Sequence, residues 1–437
     1  MSSKEKSSAL AGSGAALVPK LRFPEFEERD GWKETPLQKL ARPVTDRATT
    51  GDADNVLSLS GEHGLVLQSE YFGKKIAGDS TDRYLKIRKD DFVYNDRTTK
   101  ASSFGTIKRL SAHEVGIVSP IYKCFRFQSS ENSAFWEWYF ESGSHDPALG
   151  GLVNEGARAG RFNISVTQFL SKNAWRPDED EQQKIADCLD SADALIAAQA
   201  RKVEALRAHK KGLMQQLFPQ EGETQPRLRF PEFEGEWAKS TIGAFKPFVT
   251  SGSRGWAAFY ADEGELFVRI TNLSRESIYI DLRDKKFVQL PGGANEGIRT
   301  QLKAADVLIS ITADIGIIGY VDENVPSPAY INQHIALVRF EDDKLCSKFV
   351  AYFLASDQAQ RLFQSSTDNG TKAGMNLTTI QNIGLMVPSI REQQLIASCL
   401  TSLDDLIAAE TRKLDTLKTH KKGLMQQLFP QVGEGDA

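Results

Sequence analysis

Two long stretches of this chain are copies of each other. Residues 181–220 read EQQKIADCLDSADALIAAQARKVEALRAHKKGLMQQLFPQ, and residues 392–431 read EQQLIASCLTSLDDLIAAETRKLDTLKTHKKGLMQQLFPQ without a gap. A shorter repeat, LRFPEFE, precedes each copy at 21–27 and 228–234. A repeat whose period is about half the chain predicts duplicated domains and not a solenoid. We therefore expect two similar halves with two similar sites.

Each long repeat has the apolar spacing of a coiled coil. Alternating spacings of four and three residues form an a/d seam over more than four heptads. The seam residues are Ile185, Leu189, Ala192, Ile196, Val203, Leu206, Leu213 and Leu217 in the first copy, and Ile396, Leu400, Leu403, Ile407, Leu414, Leu417, Leu424 and Leu428 in the second. Polar residues complete the seam at Gln199, Lys210, Glu410 and Lys421. We predict that the two helices pack on each other; the alternative is that each packs on its own globular domain.

Lys210 and Lys421 occupy equivalent positions in the two seams. A polar residue at a seam position sets the register of a coiled coil at some cost in stability. Contact with DNA that crosses the helices is the other explanation. We favour the explanation that both lysines set the register.

The linker between the first helix and the second globular region limits how the helices run. About a dozen residues reach roughly 40 Å when fully extended, which is less than the roughly 55–60 Å of a helix of about 40 residues. The second globular region must therefore start near the carboxyl end of the first helix, and the second helix must run back. The predicted fold is α+β, or mixed α/β, with two similar globular domains at opposite ends of a long antiparallel two-helix coiled coil and an internal pseudo-twofold.

The predicted boundaries follow the repeats. They give a disordered N-terminal arm at 1–20, a first globular domain at 21–178, a first helix at 179–218, a linker at 219–229, a second globular domain at 230–390, a second helix at 391–429 and a flexible tail at 430–437. Similar landmarks recur within the two globular regions. DDFVYN (90–95) and SPIYKCFRF (119–127) parallel ADVLIS (305–310) and NQHIALVRF (332–340) and indicate strands, while FWEWYFES (135–142) and KFVAYFLASD (348–357) indicate helices.

Composition excludes several classes of protein. With 40% hydrophobic and 26% charged residues, the chain has an ordinary globular composition, and no apolar run reaches the length that spans a bilayer. Its four cysteines are scattered, which predicts buried free thiols in a reducing cytoplasm. Walker A, GxGxxG, GxSxG and HExxH patterns are missing from the sequence, so an intrinsic enzyme is disfavoured.

The net charge of −4 does not by itself indicate nucleic-acid binding. Basic residues nevertheless predominate in two segments, 95–126 and 156–176, and a solvated surface of mixed charge is the alternative explanation for them. Each half also contains a G-x-[RK]-x-G loop, at 156–160 and 370–374. The central cation of such a loop can contact a phosphate beside closely approaching backbone, although a simple β-turn explains the glycines equally well.

These patterns select a set of candidate DNA-contact residues. They are Asn95, Arg97, Lys100, Lys108, Arg109, Arg158, Arg161, Ser310, Thr312, Lys372 and Asn376. No catalytic residue and no metal ligand is predicted.

The chain resembles the specificity subunit of a type I restriction–modification system. The resemblance extends from about residue 21 to 431 and rests on the two EQQ-x-IA-x-CL…KKGLMQQLFPQ helices, the ADVLISITADIGIIGY segment and the G-x-[RK]-x-G loops. It implies a non-catalytic subunit that binds double-stranded DNA through two target-recognition domains separated by conserved helices. It also implies two adenine-methyltransferase subunits and two restriction/translocase subunits as partners, in a bacterial or archaeal cytoplasm and without a membrane.

The same resemblance implies no cofactor on this chain, because S-adenosylmethionine, ATP and magnesium belong to the partner subunits. The expected target is bipartite, with a spacer whose length the helix pair sets. A different class of protein would be a coiled-coil scaffold with two ligand-binding ends and no DNA role. A nuclease or fused methyltransferase is a third possibility, against which the missing nucleotide-binding motifs count heavily.

Overall fold

The computed structural model describes residues 17–49, 52, 54–73, 81–98, 102–150, 164–291, 295–341, 343–367 and 375–430. The chain divides into two compact units. Unit 1 consists of residues 1–198 and 414–437, and unit 2 consists of residues 199–413. Each unit therefore combines one globular region with one half of each long helix.

Unit 1 has ten strands and five α-helices in its described residues. The strands are β1 (Lys33–Pro36), β2 (Ala41–Pro43), β3 (Val56–Ser60), β4 (Gly64–Leu67), β5 (Leu85–Arg88), β6 (Phe92–Asn95), β7 (Thr106–Arg109), β8 (Val115–Val118), β9 (Lys123–Phe127) and β10 (Asn173–Arg176). The helices are α1 (Gln68–Phe72), α2 (Ser133–Glu141), α3 (Asp146–Gly150), α4 (Val166–Leu170) and the long α5 (Glu179–Leu217), which continues into unit 2.

The described strands of unit 1 form three sheets. β1 pairs with β10, β2-β9-β6-β7 forms an antiparallel sheet, and β4-β3-β8-β5 contains the parallel pair β3 and β8. The core between the second sheet and α2 is largely aromatic: Phe92 stacks on Phe125 with ring centroids 5.4 Å apart, and Phe127 stacks on Trp136 at 4.6 Å. Such ring pairs bury much apolar area and fix the position of α2 on the sheet.

Unit 2 has ten strands and five α-helices in its described part. The strands are β11 (Ala238–Thr241), β12 (Phe248–Ser251), β13 (Tyr260–Ala261), β14 (Glu265–Val268), β15 (Phe287–Val288), β16 (Val307–Ser310), β17 (Ile318–Tyr320), β18 (Ala329–Ile331), β19 (Ile335–Arg339) and β20 (Gly384–Val387). The helices are α6 (Asn295–Thr300), α7 (Ser347–Ala355), α8 (Asp357–Thr367), α9 (Leu377–Gln381) and the long α10 (Ile390–Leu428), which ends in unit 1.

In the residues that the structure describes, two sheets of unit 2 follow the plan of unit 1, and the third has its parallel pair at one edge and not in the centre. β11 pairs with β20, β12-β19-β16-β17 forms an antiparallel sheet, and β13-β15-β14-β18 contains the parallel pair β14 and β18. Its core is more aliphatic, since Val307, Ile309, Ala336 and Val338 are fully buried. The mixed α and β content predicted for both halves is confirmed.

The long helices α5 and α10 are 39 residues each. Every predicted seam residue of both helices is buried or partly buried. Within unit 1, Ile185 and Leu189 near the start of α5 share a hydrophobic cluster with Leu428 at the end of α10. Within unit 2, Leu217 at the end of α5 clusters with Ile396 near the start of α10. In each unit, therefore, the two helix segments run antiparallel and also pack on the globular core.

All six predicted landmarks are confirmed as elements, and SPIYKCFRF and NQHIALVRF contain β9 and β19. DDFVYN and ADVLIS contain β6 and β16, and the two aromatic segments form α2 and α7. Before each strand the chain turns through a residue with positive φ, 70° at both Asp90 and Ala305. α2 begins after Asn132, whose side chain accepts a hydrogen bond from the amide of Phe135 and so caps the first turn.

Three further observations refine the predictions. Ordered structure starts before residue 21, because Leu17 and Trp32 exchange backbone hydrogen bonds of 3.2 and 2.7 Å; residues 1–16 of the predicted arm and 431–437 of the predicted tail lie outside the described residues. All four cysteines are free, but only Cys124 is fully buried, and the prediction of burial is wrong for the other three. Among the described residues, no helix combines the length and apolar character that a membrane span requires.

Candidate nucleic-acid interface

The first residues of α5 hold the LRFPEFE segment against unit 1. Glu181 accepts hydrogen bonds from Arg22 Nε at 2.9 Å and Nη2 at 2.7 Å, and from Trp32 Nε1 at 3.2 Å. The Glu181 carboxylate is 2% exposed and the Arg22 guanidinium 6%. A buried carboxylate with both oxygens bonded to a guanidinium is a strong and geometrically specific contact.

Unit 2 repeats this contact with its own residues. Glu392 accepts hydrogen bonds from Arg229 Nε at 2.8 Å and Nη2 at 2.9 Å, and from Trp237 Nε1 at 3.2 Å. The amides of Leu21 and Leu228 each donate at 3.0 Å to a glutamine carbonyl near the end of a long helix, Gln427 and Gln216 respectively. We call this set of contacts the Arg–Glu–Trp junction of each unit.

The glutamine that follows each junction glutamate joins the helix to the globular core. Gln182 donates to the carbonyl of Pro177 and accepts from the amide of Asn132 at the start of α2. Gln393 does the same with Pro388 and with Cys346 at the start of α7. The EQQ and LRFPEFE repeats thus have a structural explanation, since they dock the globular region onto the helix ends.

Each seam lysine pairs with an aspartate of the facing helix. In unit 2, Lys210 Nζ lies 2.5 Å from Asp404 Oδ1, and the Tyr352 hydroxyl donates to Asp404 Oδ2 at 2.7 Å. Burial, with the nearby Asp404 carboxylate, raises the pKa of Tyr352 above its ordinary range. In unit 1, Lys421 pairs with Asp193, and its Nζ lies 4.2 Å from the centre of the Trp138 ring. These pairs support the register interpretation of both lysines.

A polar sheet edge forms in unit 1 where β6 ends and β9 begins. Asn95 ends β6, and the buried carboxylate of the next residue, Asp96, accepts a hydrogen bond from Lys123 Nζ at 2.6 Å. Arg97 is exposed beside them, and its backbone amide donates to Asn95 Oδ1 at 3.3 Å. Gly105 has φ +86°, and a Cβ there would lie 2.4 Å from the Asn95 carbonyl, so only glycine lets the two loops approach.

The equivalent edge of unit 2 lies where β12 and β16 end and β19 begins. Ser251 and Ser310, the last residues of the two strands, pair with Ala336 and Ile335 at the start of β19. The amide of Met375 donates to the Ile311 carbonyl at 2.9 Å, which brings the chain that leaves the second glycine–basic loop to this edge. Three polar loops and the described chain at Met375 therefore converge there.

The predicted cations of β7 are engaged in ion pairs. Lys108 Nζ lies 2.6 Å from Glu141 Oε2, and Arg109 bonds to Glu137 and Asp90, both at 2.8 Å. Burial raises the pKa of Glu137 even though the positive charge of Arg109 acts in the opposite direction. These pairs join β7 to α2 and supply a structural reason for both cations, whereas Arg97 has no ion pair with any described residue.

Three other predicted contact residues also have structural partners. The buried Ser310 hydroxyl donates to the Asp314 carbonyl at 2.5 Å and accepts from the Ile317 amide at 2.8 Å, which closes the β16–β17 hairpin. Asn376 caps α9 by accepting from the Thr379 amide at 2.8 Å. Thr312 lies at the sheet edge and bonds to His334. Lys100, Arg158, Arg161 and Lys372, together with both G-x-[RK]-x-G loops, lie outside the described residues.

Sequence reasoning missed three polar residues at the edge of unit 2. Gln333 and His334 are partly exposed and lie immediately before β19, and Arg254 is exposed in the loop after β12. The run Asn-Gln-His before a fully buried strand was the available signal, because polar residues that end at a buried strand mark a loop at a sheet edge. Among the described residues, no group of three or more His, Cys, Asp or Glu side chains could hold a metal ion.

Each unit is therefore a mixed α+β module with a polar sheet edge and an Arg–Glu–Trp junction to the helix ends. Residues 282–419 match the family model of the type I restriction modification DNA specificity domain. Over 266 residues, the chain is 22% identical to the type I restriction enzyme MjaVIII specificity subunit of Methanocaldococcus jannaschii. The match covers 58% of this chain and 60% of that relative.

Two solved structures share the fold. One, from a study of complex assembly and conformational transition of the type I R-M system, has a TM-score of 0.55 at 16% identity and covers 93% of this chain and 98% of its own. The other, the type I restriction–modification S subunit from M. genitalium, has a TM-score of 0.55 at 14% identity and covers 95% and 100%. The resemblance to type I specificity subunits, predicted from the sequence, is confirmed.

Proposed function

We propose that this chain is the DNA-specificity subunit of a type I restriction–modification complex and reads a bipartite target. The observation that carries the proposal is the duplication of one module. A DNA specificity domain matches residues 282–419. The first half has two sheets of the same plan as the second, a third sheet that also contains a parallel pair, and the same Arg–Glu–Trp junction. Two similar modules with different sheet edges suit two different half-sites, each read in the major groove where all four base pairs are distinguishable.

We propose that the helix pair sets the distance between the two half-sites, and we call it the ruler. Its support is local: the seam residues are buried or partly buried, and an ion pair joins the two helices within each unit, Lys421 with Asp193 and Lys210 with Asp404. An antiparallel coiled coil of this length would hold the two modules at a constant separation, so the target would contain a spacer of constant length.

The outer faces of the helices are the proposed docking surface for two methyltransferase subunits and, in the complete complex, for two restriction/translocase subunits. Leu195 and Leu406 are equivalent and 59% and 43% exposed. His209 and His420 are likewise equivalent, identical and exposed. Packing within this chain does not require identity at exposed positions, whereas two copies of one partner would. S-adenosylmethionine, ATP and magnesium would act on those partners, and this chain would be non-catalytic.

The deciding experiment is co-expression with a type I adenine-methyltransferase subunit from the same genome, followed by mapping of methylated adenines by single-molecule sequencing. A bipartite motif with one spacer length is the expected result. A complex that forms but methylates no defined motif would contradict the role in DNA specificity. With no complex and no salt-dependent binding of duplex DNA, the chain would return to the class of coiled-coil scaffolds with other ligands.

The ruler can be tested separately from the recognition modules. Inserting one heptad into each helix, between equivalent seam positions, should lengthen the spacer of the methylated motif and leave both half-sites unchanged, because the sheet edges are not altered. Insertion of the same heptads with their seam residues replaced by serine is the matched control, since it adds length without an apolar seam. A changed half-site would contradict the ruler.

A further inference from the structure

The sheet edge of unit 2 contains a polar network that packing does not require. Thr312 Oγ1 bonds to His334 Nδ1, and His334 Nε2 lies 2.9 Å from Gln333 Nε2. All three side chains are partly exposed. Since the amide nitrogen of Gln333 can only donate, His334 Nε2 accepts, and the proton on Nδ1 is donated to Thr312.

This network leaves one pair of hydrogen-bonding groups of Gln333 available. A primary amide has two N–H donors and one carbonyl acceptor. His334 takes one donor, and no described residue bonds to the second N–H or to Oε1. When His334 takes the N–H that points away from Oε1, the N–H beside Oε1 and Oε1 itself form the adjacent donor–acceptor pair that matches N7 and N6 of adenine in the major groove.

The loops around Gln333 are held in place. Arg299 donates to the Ser251 carbonyl at 2.7 Å and to Ser253 Oγ at 2.8 Å. A Cβ on Gly252 would lie 2.3 Å from the carbonyl of Asn332, so the loop after β12 packs directly on the backbone next to Gln333. On the other side, the His334 carbonyl accepts from the Ile311 amide at 2.9 Å. A side chain on a rigid frame loses little conformational entropy on binding.

We propose that Gln333 is a base-reading residue of unit 2 and recognises one adenine through the major groove, with His334 and Thr312 as positioning residues. The inference rests on the proposed function and names the chemistry of one of its two sites. Arg254, exposed on the neighbouring loop, has the character of a phosphate contact, which adds affinity without sequence information.

The test uses the complex of the full chain with its methyltransferase, in wild-type form and with Gln333→Ala, Gln333→Glu or Thr312→Val. Methylation motifs are mapped, and binding is measured against duplexes that vary one base pair at a time. In Gln333→Ala, the preference for adenine at one position of one half-site should fall by about 5- to 150-fold, with the other half-site and the spacer unchanged. Thr312→Val should reduce the same preference less.

Gln333→Glu gives a gain of preference that a merely structural role would not produce. A carboxylate only accepts hydrogen bonds, so the preference at that position should shift from adenine toward cytosine, whose N4 donates. Arg254→Ala is the control, because it should weaken binding to all duplexes alike and keep the motif.

Each outcome decides a different question. A bipartite wild-type motif that stays unchanged in both Gln333 variants would overturn the assignment of Gln333 and leave the specificity function intact. Uniform weakening in Gln333→Ala, without a change in base preference, would also overturn it. If the wild-type complex methylates no defined motif, the proposed function fails, and the assignment fails with it.

Discussion

The two units share their junctions and differ at their sheet edges. Arg22, Glu181 and Trp32 in unit 1 match Arg229, Glu392 and Trp237 in unit 2 atom for atom, with Nε1–Oε1 distances of 3.2 Å in both. At the edges, by contrast, Pro120 and Ile121 occupy the places of Gln333 and His334. Ile121 is 43% exposed and has no polar group to present.

The difference indicates which parts of the chain were constrained to remain alike. A junction that buries a carboxylate and a guanidinium tolerates little change, because either charge without its partner is costly. A sheet edge made of loops tolerates substitution, because its side chains contribute little to the core. Duplicated modules can therefore keep one means of attachment and acquire two specificities.

Removing the junction glutamate should have the largest effect. Glu181→Ala and Glu392→Ala each leave a buried guanidinium and an indole N–H without their acceptor, so each should destabilise its own unit by about 3–5 kcal/mol. Hydrogen exchange followed by mass spectrometry assigns the loss to one unit, and Glu27→Ala, at an exposed position of the same repeat, is the control. Unequal losses in the two units would break the equivalence of the junctions.

Acid should weaken unit 1 through a histidine that unit 2 lacks. Burial lowers the pKa of His145 to about 4, although Asp146 Oδ1 lies 3.5 Å from its Nε2. In the unfolded chain this histidine takes up a proton near pH 6.5. The contribution of neutral His145 to the free energy of unfolding is therefore fully present above that pH. It is lost as the pH falls toward 4, by about 3 kcal/mol in total.

Hydrogen exchange across this pH range should show the loss in unit 1, and His145→Gln should remove that part of the pH dependence. The shared carboxylate titrations provide the background in both proteins. An unchanged pH profile in His145→Gln would show that the imidazole is not the group that titrates.

The ion pairs of the two seam lysines should contribute differently to stability. Lys210 and Asp404 are each 9% exposed, whereas Asp193, the partner of Lys421, is 46% exposed. Lys210→Ala should therefore cost about 2–3 kcal/mol, and Lys421→Ala less than about 1 kcal/mol. Urea unfolding of a double-mutant cycle for each pair, with Lys→Ala and Asp→Ala singly and together, measures the interaction free energy of each ion pair. Equal interaction free energies would contradict the expectation that the more buried pair is the stronger one.

Arg97→Ala should have the smallest effect on the fold, within about 0.5 kcal/mol. Its expected consequence is weaker binding to all duplexes and a salt-dependence slope smaller by about one. Arg109→Ala is the matched comparison, because Arg109 is bonded to Glu137 and Asp90. It should destabilise unit 1 and change the slope less. Fluorescence anisotropy against salt concentration measures both slopes. A larger change of slope in Arg109→Ala than in Arg97→Ala would show that Arg109, and not Arg97, contacts DNA.

Local patterns predicted the elements well. β6 and β16 are short apolar runs after a turn, α2 and α7 are aromatic-rich helical segments, and the ends of α5 and α10 lie within one residue of those expected. The role of Glu181 was not predictable, because its partner Arg22 is 159 positions away and only the folded chain brings the two together. The parallel pairing of β3 with β8 is non-local in the same way.

The amino-acid sequence by itself determined that the protein is a duplication with two long helices and two mixed modules, because a repeat and a heptad period are properties of the residue order alone. Tertiary structure decided which polar residues remain available for a ligand. Lys108, Arg109 and Ser310 are engaged by partners that folding brings to them, whereas Gln333 keeps a donor and an acceptor at the sheet edge. The free energy of a charge or an amide depends on its neighbours in space, and those neighbours come from distant parts of the chain.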